Sequence, residues 1–290
     1  MSSSFEQIAL LALWAAVPLL VGVLLGLDRV LTARLQGRQG PSVLQSLRDL
    51  TKLLHKKGSY VNGSQAMFAY GALVLQASAA LVLIMGSDVL TAFLLSGVGC
   101  FLMVMAALSV RSPYSHLGAQ RELVQMMATE PVVMMIVLSL GYASGSFLGS
   151  DMDEMLVLTL PLAAASMVPV LLIRLEKSPY DIATAHSEIV SGPYVEFSGR
   201  GLGITKLAHW FELAVMFGIL LLLFRLPDPA LDLAVKAMVV LAVVVMTAVI
   251  DNTTARLTRW RMLRFSLTFC LGAVMLNMIV LYLVNTGVIQ

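Results

Sequence analysis

The sequence predicts an all-α integral membrane protein: a bundle of about eight transmembrane helices with amphipathic helices in two cytoplasmic loops. Three observations predict it. Hydrophobic residues make up 59% of the 290 residues and charged residues 12%, and the mean hydropathy is +0.88, far from soluble composition. Apolar stretches of about 20 residues, the length a helix needs to cross a hydrocarbon core, recur along the whole chain, and in lipid the backbone has to satisfy itself internally. Lys and Arg gather on alternate connections, as they do on the cytoplasmic side of membrane proteins.

The predicted spans are 6–27, 65–86, 88–110, 123–147, 155–174, 206–226, 231–250 and 263–285, all within one transmembrane domain covering residues 1–290. The first span is too long for a signal peptide and lacks a small-residue cleavage site, so it reads as a retained helix. No sequence repeat suggests an inverted-repeat transporter. The cytoplasmic loops fall at about 28–64, 111–122, 175–205 and 251–262. The first holds Arg29, Arg34, Arg38, Arg48, Lys52, Lys56 and Lys57; the second holds Arg111 and Arg121. Arg174, Lys177, Arg200 and Lys206 flank the third, and Arg256, Arg259, Arg261 and Arg264 the fourth, leaving Arg225 and Lys236 opposite. Both termini are therefore expected outside. The net charge of +2 hides a basic inner face and an outer face with Glu6, Asp88, Asp151, Asp153, Glu154, Asp228 and Asp232. Most of the basic residues set topology, and nucleic acid is not implied.

Within the first loop, Gly37, Gly40 and Pro41 precede a run from Val43 to Leu54 in which leucines recur at three- or four-residue spacing, the pattern of an interfacial helix. In the third, Ser178-Pro179-Tyr180-Asp181 precedes another short helical pattern through Val190, stopped by Gly192 and Pro193. Asp181, His186, Glu188 and Glu196 gather there; the plain alternative is a solvated charged loop.

Two carboxylates, Glu130 and Glu212, lie inside apolar spans. An ionisable group at mid-helix costs about 2.5–3.5 kcal/mol, usually accepted only for pairing, hydration or ion movement. Pro131 follows Glu130 and is expected to break the helix locally and admit water. His209 stands three residues before Glu212, so the two share a helix face; they suit either proton relay or a structural pair near the membrane surface. Cys100 and Cys270 sit in separate spans with no second thiol nearby, so no metal or cluster is expected on this chain.

These segments resemble a known family: the membrane subunit shared by respiratory complex I, where it is the quinone-site subunit of the NuoH or ND-one type, and energy-converting [NiFe] hydrogenases. Arg34-Leu35-Gln36-Gly37-Arg38-Gln39-Gly40-Pro41, followed by Gln45, Asp49 and Lys52, is similar to the family's first-loop signature. Gly118-Ala119-Gln120-Arg121-Glu122 leading to Glu130, and Pro179-Tyr180-Asp181 with Glu188, Gly192 and Glu196-Phe197-Ser198-Gly199, resemble two further blocks. Complex I members commonly carry glutamate where this chain has Arg174, Thr184 and His186, with Glu176 and His186 as nearby substitutes. Asp251-Asn252-Thr253-Thr254-Ala255-Arg256 resembles the acidic start of its block in the hydrogenase branch.

The resemblance implies a non-catalytic, multi-pass subunit of the cytoplasmic (inner) membrane of a prokaryote. It also implies hydrogenase large and small subunits, a ferredoxin-like iron-sulfur subunit and an antiporter-like membrane subunit as partners, the [NiFe] centre and [4Fe-4S] clusters being theirs. Arg34, Arg38, Asp49, Lys52, Arg121 and Arg256 would dock partners or lipid. Asp181, Glu188, Glu196, His186, His209, Glu130 and Glu212 would couple redox events to proton or sodium movement. The alternatives are a quinone-site subunit of a complex I type enzyme, a stand-alone secondary transporter, and a purely structural anchor.

Overall fold

The computed structural model describes residues 4–152 and 155–286, and within these the side chains of residues 4–6 and 186–187 are left aside. Among the described residues the secondary structure is helical, apart from one isolated bridge between Asp88 and Leu148. The chain forms α1 (Ser4–Leu35), α2 (Gln45–His55), α3 (Gly63–Ile84), α4 (Val89–Leu108), α5 (Pro113–Ser144) and α6 (Pro161–Arg174). Then follow α7 (His186–Ile189), α8 (Gly199–Leu222), α9 (Pro229–Thr253), α10 (Arg259–Phe265) and α11 (Leu271–Asn285). A π-helical turn, Ser266–Cys270, joins the last two into one rod.

Seven of these helices are long and apolar enough to cross a membrane, α10 and α11 counting together. The expected span 155–174 is shorter: α6 starts only at Pro161, whose fixed φ suits a first helical turn, and the residues before it form turns. Its 14 residues rise about 21 Å, against about 30 Å of hydrocarbon. Three other helices reach well beyond expectation. α1 runs on to Leu35, α5 starts at Pro113, so the predicted loop 111–122 is largely helix, and α8 starts at Gly199.

Local chemistry accounts for the helix starts. Asp88 accepts from the Leu90 and Thr91 amides, Asn62 from Gln65 and Asp228 from Ala230, each satisfying a first-turn donor. Contrary to the sequence expectation, α5 runs through Pro131 unbroken. Prolines are tolerated in membrane helices when neighbouring helices hold them, and here α4, α6, α10 and α11 all pack against α5. The predicted loop 175–205 also departs from expectation. Its helix is a single turn, α7, followed by a 3₁₀ turn at Gly192–Tyr194. That turn is pressed against Gly118 of α5, where a Cβ would collide with the backbone of Gly192 and Pro193.

The amphipathic helix of the first loop forms as α2, one or two residues from its predicted bounds, and lays Leu47, Leu50 and Leu54 on the core. At the centre stands α8, against which α1, α2, α3, α4 and α6 pack. Small residues let α3 and α4 approach closely: Ala69, Ala72, Ala79 and Ala80 on one, Ala92, Ser96, Gly99 and Cys100 on the other, are all buried. In α11, Asn277 accepts from the Leu162 amide at 2.9 Å and donates to the Thr159 carbonyl at 2.9 Å, tying the last helix to the start of α6.

Candidate functional site

Arg174 ends α6 directly after the buried Leu171-Leu172-Ile173, and is itself only 3% exposed. Its apolar predecessors fix the helix in the core and carry the guanidinium with them. Three carboxylates converge on it. Nη2 meets Glu130 Oε1 at 2.6 Å, and Nη1 meets Glu212 Oε1 at 2.9 Å and Glu122 Oε1 at 3.8 Å. Glu122 and Glu130 lie about two turns apart on α5, and Glu212 comes from α8. Glu130 also abuts Gly97 of α4, where a Cβ would lie 3.3 Å from Oε2.

The rest of the lining mixes polar groups with Met103, Val104, Ile173 and Ala208. His209 Nδ1 stands 3.3 Å from Glu212 Oε2, the i, i+3 pairing read from the sequence. Gln76 of α3 donates to the Ser96 carbonyl at 2.9 Å and to Cys100 Sγ at 3.2 Å, holding the thiol beside the guanidinium. With Glu122, Glu130 and Glu212 ionised and the imidazole protonated, three negative charges face two positive ones, and Glu176 lines the same cavity. An unbalanced charge in low dielectric costs several kcal/mol, and a proton on one carboxylate reduces it. Arg174 cannot supply that proton, because guanidinium stays charged. It occupies the place a metal ion would take among three carboxylates.

Two cavities serve the cluster. The inner one, about 20 Å³, is lined by Gln76, Cys100, Glu122, Arg174, Glu212 and others, with room for a water molecule. The outer one, about 500 Å³, lies between α1, α2, α8 and the loop after α6, where Asp28, Asp49, Lys177 and Lys206 mix with Leu25, Leu50 and Trp210. Glu176, Tyr194 and His209 line both. Burial, then the neighbouring carboxylates Glu176, Glu122 and Glu212, push the Tyr194 phenol well above its ordinary range, so it remains a neutral donor.

The loop carboxylates lie elsewhere. Asp181 takes a two-pronged grip from Arg256, at 2.6 and 2.8 Å. Glu188 pairs with Arg121 at 2.7 Å and with Arg256 at 3.4 Å. The Arg121 hydrogen bond and charge, aided by Arg256, hold the Glu188 carboxyl below the usual carboxylate range, although it is half exposed. Hydrogen bonding to Asp181 raises the Arg256 guanidinium. Arg121 and Arg256 thus fasten the loop to α5 and to the α9–α10 connection. Glu196 is half-buried and joins neither cluster among the described residues, and the side chain of His186 lies outside the described residues. Lys177 bridges Asp28 of α1 at 2.7 Å and Asp251 of α9 at 3.3 Å. Arg34, Arg38 and Lys52 are exposed, and Asp49 pairs with Arg29 at 3.3 Å.

The structure brings Glu130, Glu212 and His209, named from the sequence, together with Arg174, Glu122, Gln76 and Cys100, which the sequence did not single out for this cluster. By sequence Arg174 reads as a loop-flanking charge and as a departure from the glutamate that complex I members carry there. The signal that separates it is local: the apolar helix runs right up to it.

Fold and cluster together define a polytopic membrane protein that keeps ionisable groups inside its helical bundle. Residues 8–282 match the family model described as NADH dehydrogenase. The chain is 30% identical over 225 residues to formate hydrogenlyase subunit 4 of Escherichia coli (strain K12), covering 71% of this chain and 72% of that one. It is 29% identical over 261 residues to hydrogenase-4 component C of the same organism, covering 80% and 82%. Its fold is similar to a chain in the structure of the membrane-bound sulfane sulfur reductase, an archaeal respiratory membrane complex. The TM-score there is 0.82 at 22% identity, over 94% of this chain and 98% of that one. The chain belongs to the NADH dehydrogenase family.

Proposed function

We propose that this chain is the non-catalytic membrane subunit of a multi-subunit energy-converting [NiFe] hydrogenase. In this reading it sits in a prokaryotic cytoplasmic membrane with both termini outside, as the Lys and Arg bias suggests. Its cytoplasmic face docks a hydrophilic redox arm, and its buried cluster couples redox events there to ion movement. Likeness to proteins named for formate hydrogenlyase and hydrogenase-4 supports the hydrogenase branch. The partners are then the large and small hydrogenase subunits, a ferredoxin-like subunit and an antiporter-like membrane subunit. The [NiFe] centre and [4Fe-4S] clusters belong to those partners; Cys100 and Cys270 are buried on separate helices and give no cluster ligand set.

The observation that carries the coupling role is Arg174 held among Glu122, Glu130 and Glu212 next to a cavity beside the basic loops. A charge change in a docked arm alters proton affinity in such a cluster, and about 1.4 kcal/mol shifts the equilibrium tenfold. Glu130 and Glu212 pass the change toward a neighbouring membrane subunit.

The test uses inverted membrane vesicles carrying the complex with Glu130→Gln or Glu212→Gln. Hydrogen evolution from a reduced viologen continues at the parental rate, while the membrane potential generated during turnover, followed with a voltage-sensitive dye, is lost. Parental potential in both variants refutes the coupling role. Purification of the tagged chain without nickel or hydrogenase activity refutes the hydrogenase assignment.

A further inference from the structure

We propose that an apolar cleft between α1, α3, α8 and α9, at the end of the bundle away from the basic loops, binds one acyl chain of a phosphatidylethanolamine. The lipid's phosphate rests on Lys236, and its ammonium on Asp232 and Asp228. The site is separate from the buried Arg174 cluster and from the coupling role above.

The cleft, about 340 Å³, is walled by Leu13 and Val17 of α1, Leu83 and Ile84 of α3, and Phe217 and Leu221 of α8. Chain threading brings these residues to one level, because α1 and α9 begin at the end of the bundle where α3 and α8 finish. The space exists because three wall residues are small, Ala80, Ala214 and Gly218; at Gly218 even a Cβ would run into the Leu83 side chain. Leu13, at the mouth, is 47% exposed. Carbon walls give water no hydrogen-bond partners, and an empty cleft would forfeit the dispersion contacts of its lining. A flexible hydrocarbon chain supplies those contacts along the whole cleft. A neighbouring helix, about 10 Å across with its side chains, offers it only a side chain or two.

The charges at the rim select the headgroup. Lys236 is the charged residue of the lining and stands seven residues into α9, about 10 Å below the helix start. At that depth an ammonium is costly without partners. It donates to Asp232 Oδ2 at 2.6 Å, which uses one of the three donors an ammonium carries. Asp228, Asp232 and Lys236 follow one another at four-residue spacing, so they stack along one stripe of α9 with the lysine deepest. Asp232 is fixed by the Leu226 amide at 3.0 Å, Asp228 is exposed, and Arg225 donates to the Gly149 carbonyl. The order of charge is therefore positive beside the cleft and negative toward the surface. In phosphatidylethanolamine the phosphate lies next to the acyl chains and the amine farther out. The phosphate takes charge-assisted hydrogen bonds from Lys236, and the amine gives them to the carboxylates. A lipid of net negative charge would set its headgroup against two carboxylates with one ammonium to offset them, and a quaternary amine has no N–H to donate to either.

The test takes the tagged chain with the subunits it retains in mild detergent, strips its lipid with excess detergent and offers mixed micelles of phosphatidylethanolamine, phosphatidylglycerol and phosphatidylcholine in equal amounts. Bound lipid is read by native mass spectrometry. The parent retains phosphatidylethanolamine about tenfold over the other two, and Lys236→Met lowers that retention about tenfold, as loss of a charge-assisted bond predicts. Ala214→Leu, which fills the cleft, lowers it likewise. Asp228→Asn combined with Asp232→Asn frees Lys236 and moves the preference to phosphatidylglycerol. Parental retention in either Lys236→Met or Ala214→Leu overturns the proposal, as does a parent that holds the three lipids equally or holds none. A benzophenone amino acid in place of Leu13 labels the lipid on irradiation; cross-linking to another subunit would put a partner's helix in the cleft and overturn the proposal. Should Ala214→Leu fail to assemble, Lys236→Met and the aspartate pair decide, since both leave the cleft's small residues in place.

Discussion

Arg174→Met removes the one fixed cation shared by three carboxylates. At charge-centre separations of about 4 Å and an effective dielectric of 20, each of the two close pairs contributes on the order of 4 kcal/mol of attraction. That gain is offset by desolvation of several kcal/mol per ion. The loss on substitution exceeds the net value of the pairs, because the carboxylates stay buried and face one another without a counter-charge. Breaking buried pairs in this way costs about 3–5 kcal/mol, which corresponds to a fall in melting temperature of about 5–15 °C for a chain of this size. The assay is heating of the mild-detergent-purified complex, followed by size-exclusion chromatography with fluorescence detection of the tagged chain. Arg174→Lys keeps the charge but gives up the planar fork that reaches Glu130 and Glu212 at once, so it falls between parent and Met. Adding Glu130→Gln to Arg174→Met restores part of the loss, a coupling of about 0.5–3 kcal/mol. An Arg174→Met complex that melts within about 2 °C of the parent would refute the view that these ion pairs hold α5, α6 and α8 together.

Glu188, on the loop after α6, gives a pH dependence. Its carboxyl is held below the usual range by Arg121 and Arg256, so the pairing stabilises the docked loop above the ordinary glutamate value of about 4.3. It is lost as pH falls through the lower folded value. Hydrogen exchange of residues 180–192 is expected to rise below that range and with added salt, as befits a half-exposed pair; Glu188→Gln removes the pH response, and an unchanged profile in that variant would refute the assignment. Lys177→Met strands Asp28, whose Oδ1 is already buried without a hydrogen bond among the described residues, and is expected to cost on the order of 3 kcal/mol. A thermal melt of the complex measures it, and Asp28→Asn in the same chain recovers part of the loss.

Composition, hydropathy and the loop charges disclosed the bundle, and leucine spacing disclosed α2 to within two residues, because these features depend on solvent and on local periodicity. The extension of α5 back to Pro113 was hidden by polar residues such as His116, Gln120 and Arg121, which read as loop until the 3₁₀ turn and α4 are seen to cover that part of the helix. Pro131 misled for the reverse reason: a local rule predicted a break, and the surrounding helices prevail. For the site, His209 and Glu212 were legible as an i, i+3 pair. Arg174 was not, since a charge at the end of an apolar run looks the same whether it faces water or three carboxylates on other helices. Asp181 and Glu188 were recognised as a group with the wrong neighbours, because their arginines, Arg121 and Arg256, lie 60 or more residues away in the chain.

The π turn at Ser266–Cys270 determines how tolerant the last helix is of insertions and deletions. At its end the Cys270 carbonyl accepts from Ser166 Oγ at 3.3 Å, and at its start Ser266 donates to the Ala128 carbonyl. A π turn amounts to one extra residue in an α-helix. Deleting a single residue there would restore regular winding and rotate everything beyond it by about 100° relative to α10. Asn277 would then swing away from Thr159 and Leu162 toward the hydrocarbon, taking an amide with it. Reading frame along this rod is therefore phased from both ends: side chains on either side of residues 266–270 can be exchanged for others of like character, but the number of residues between them cannot change.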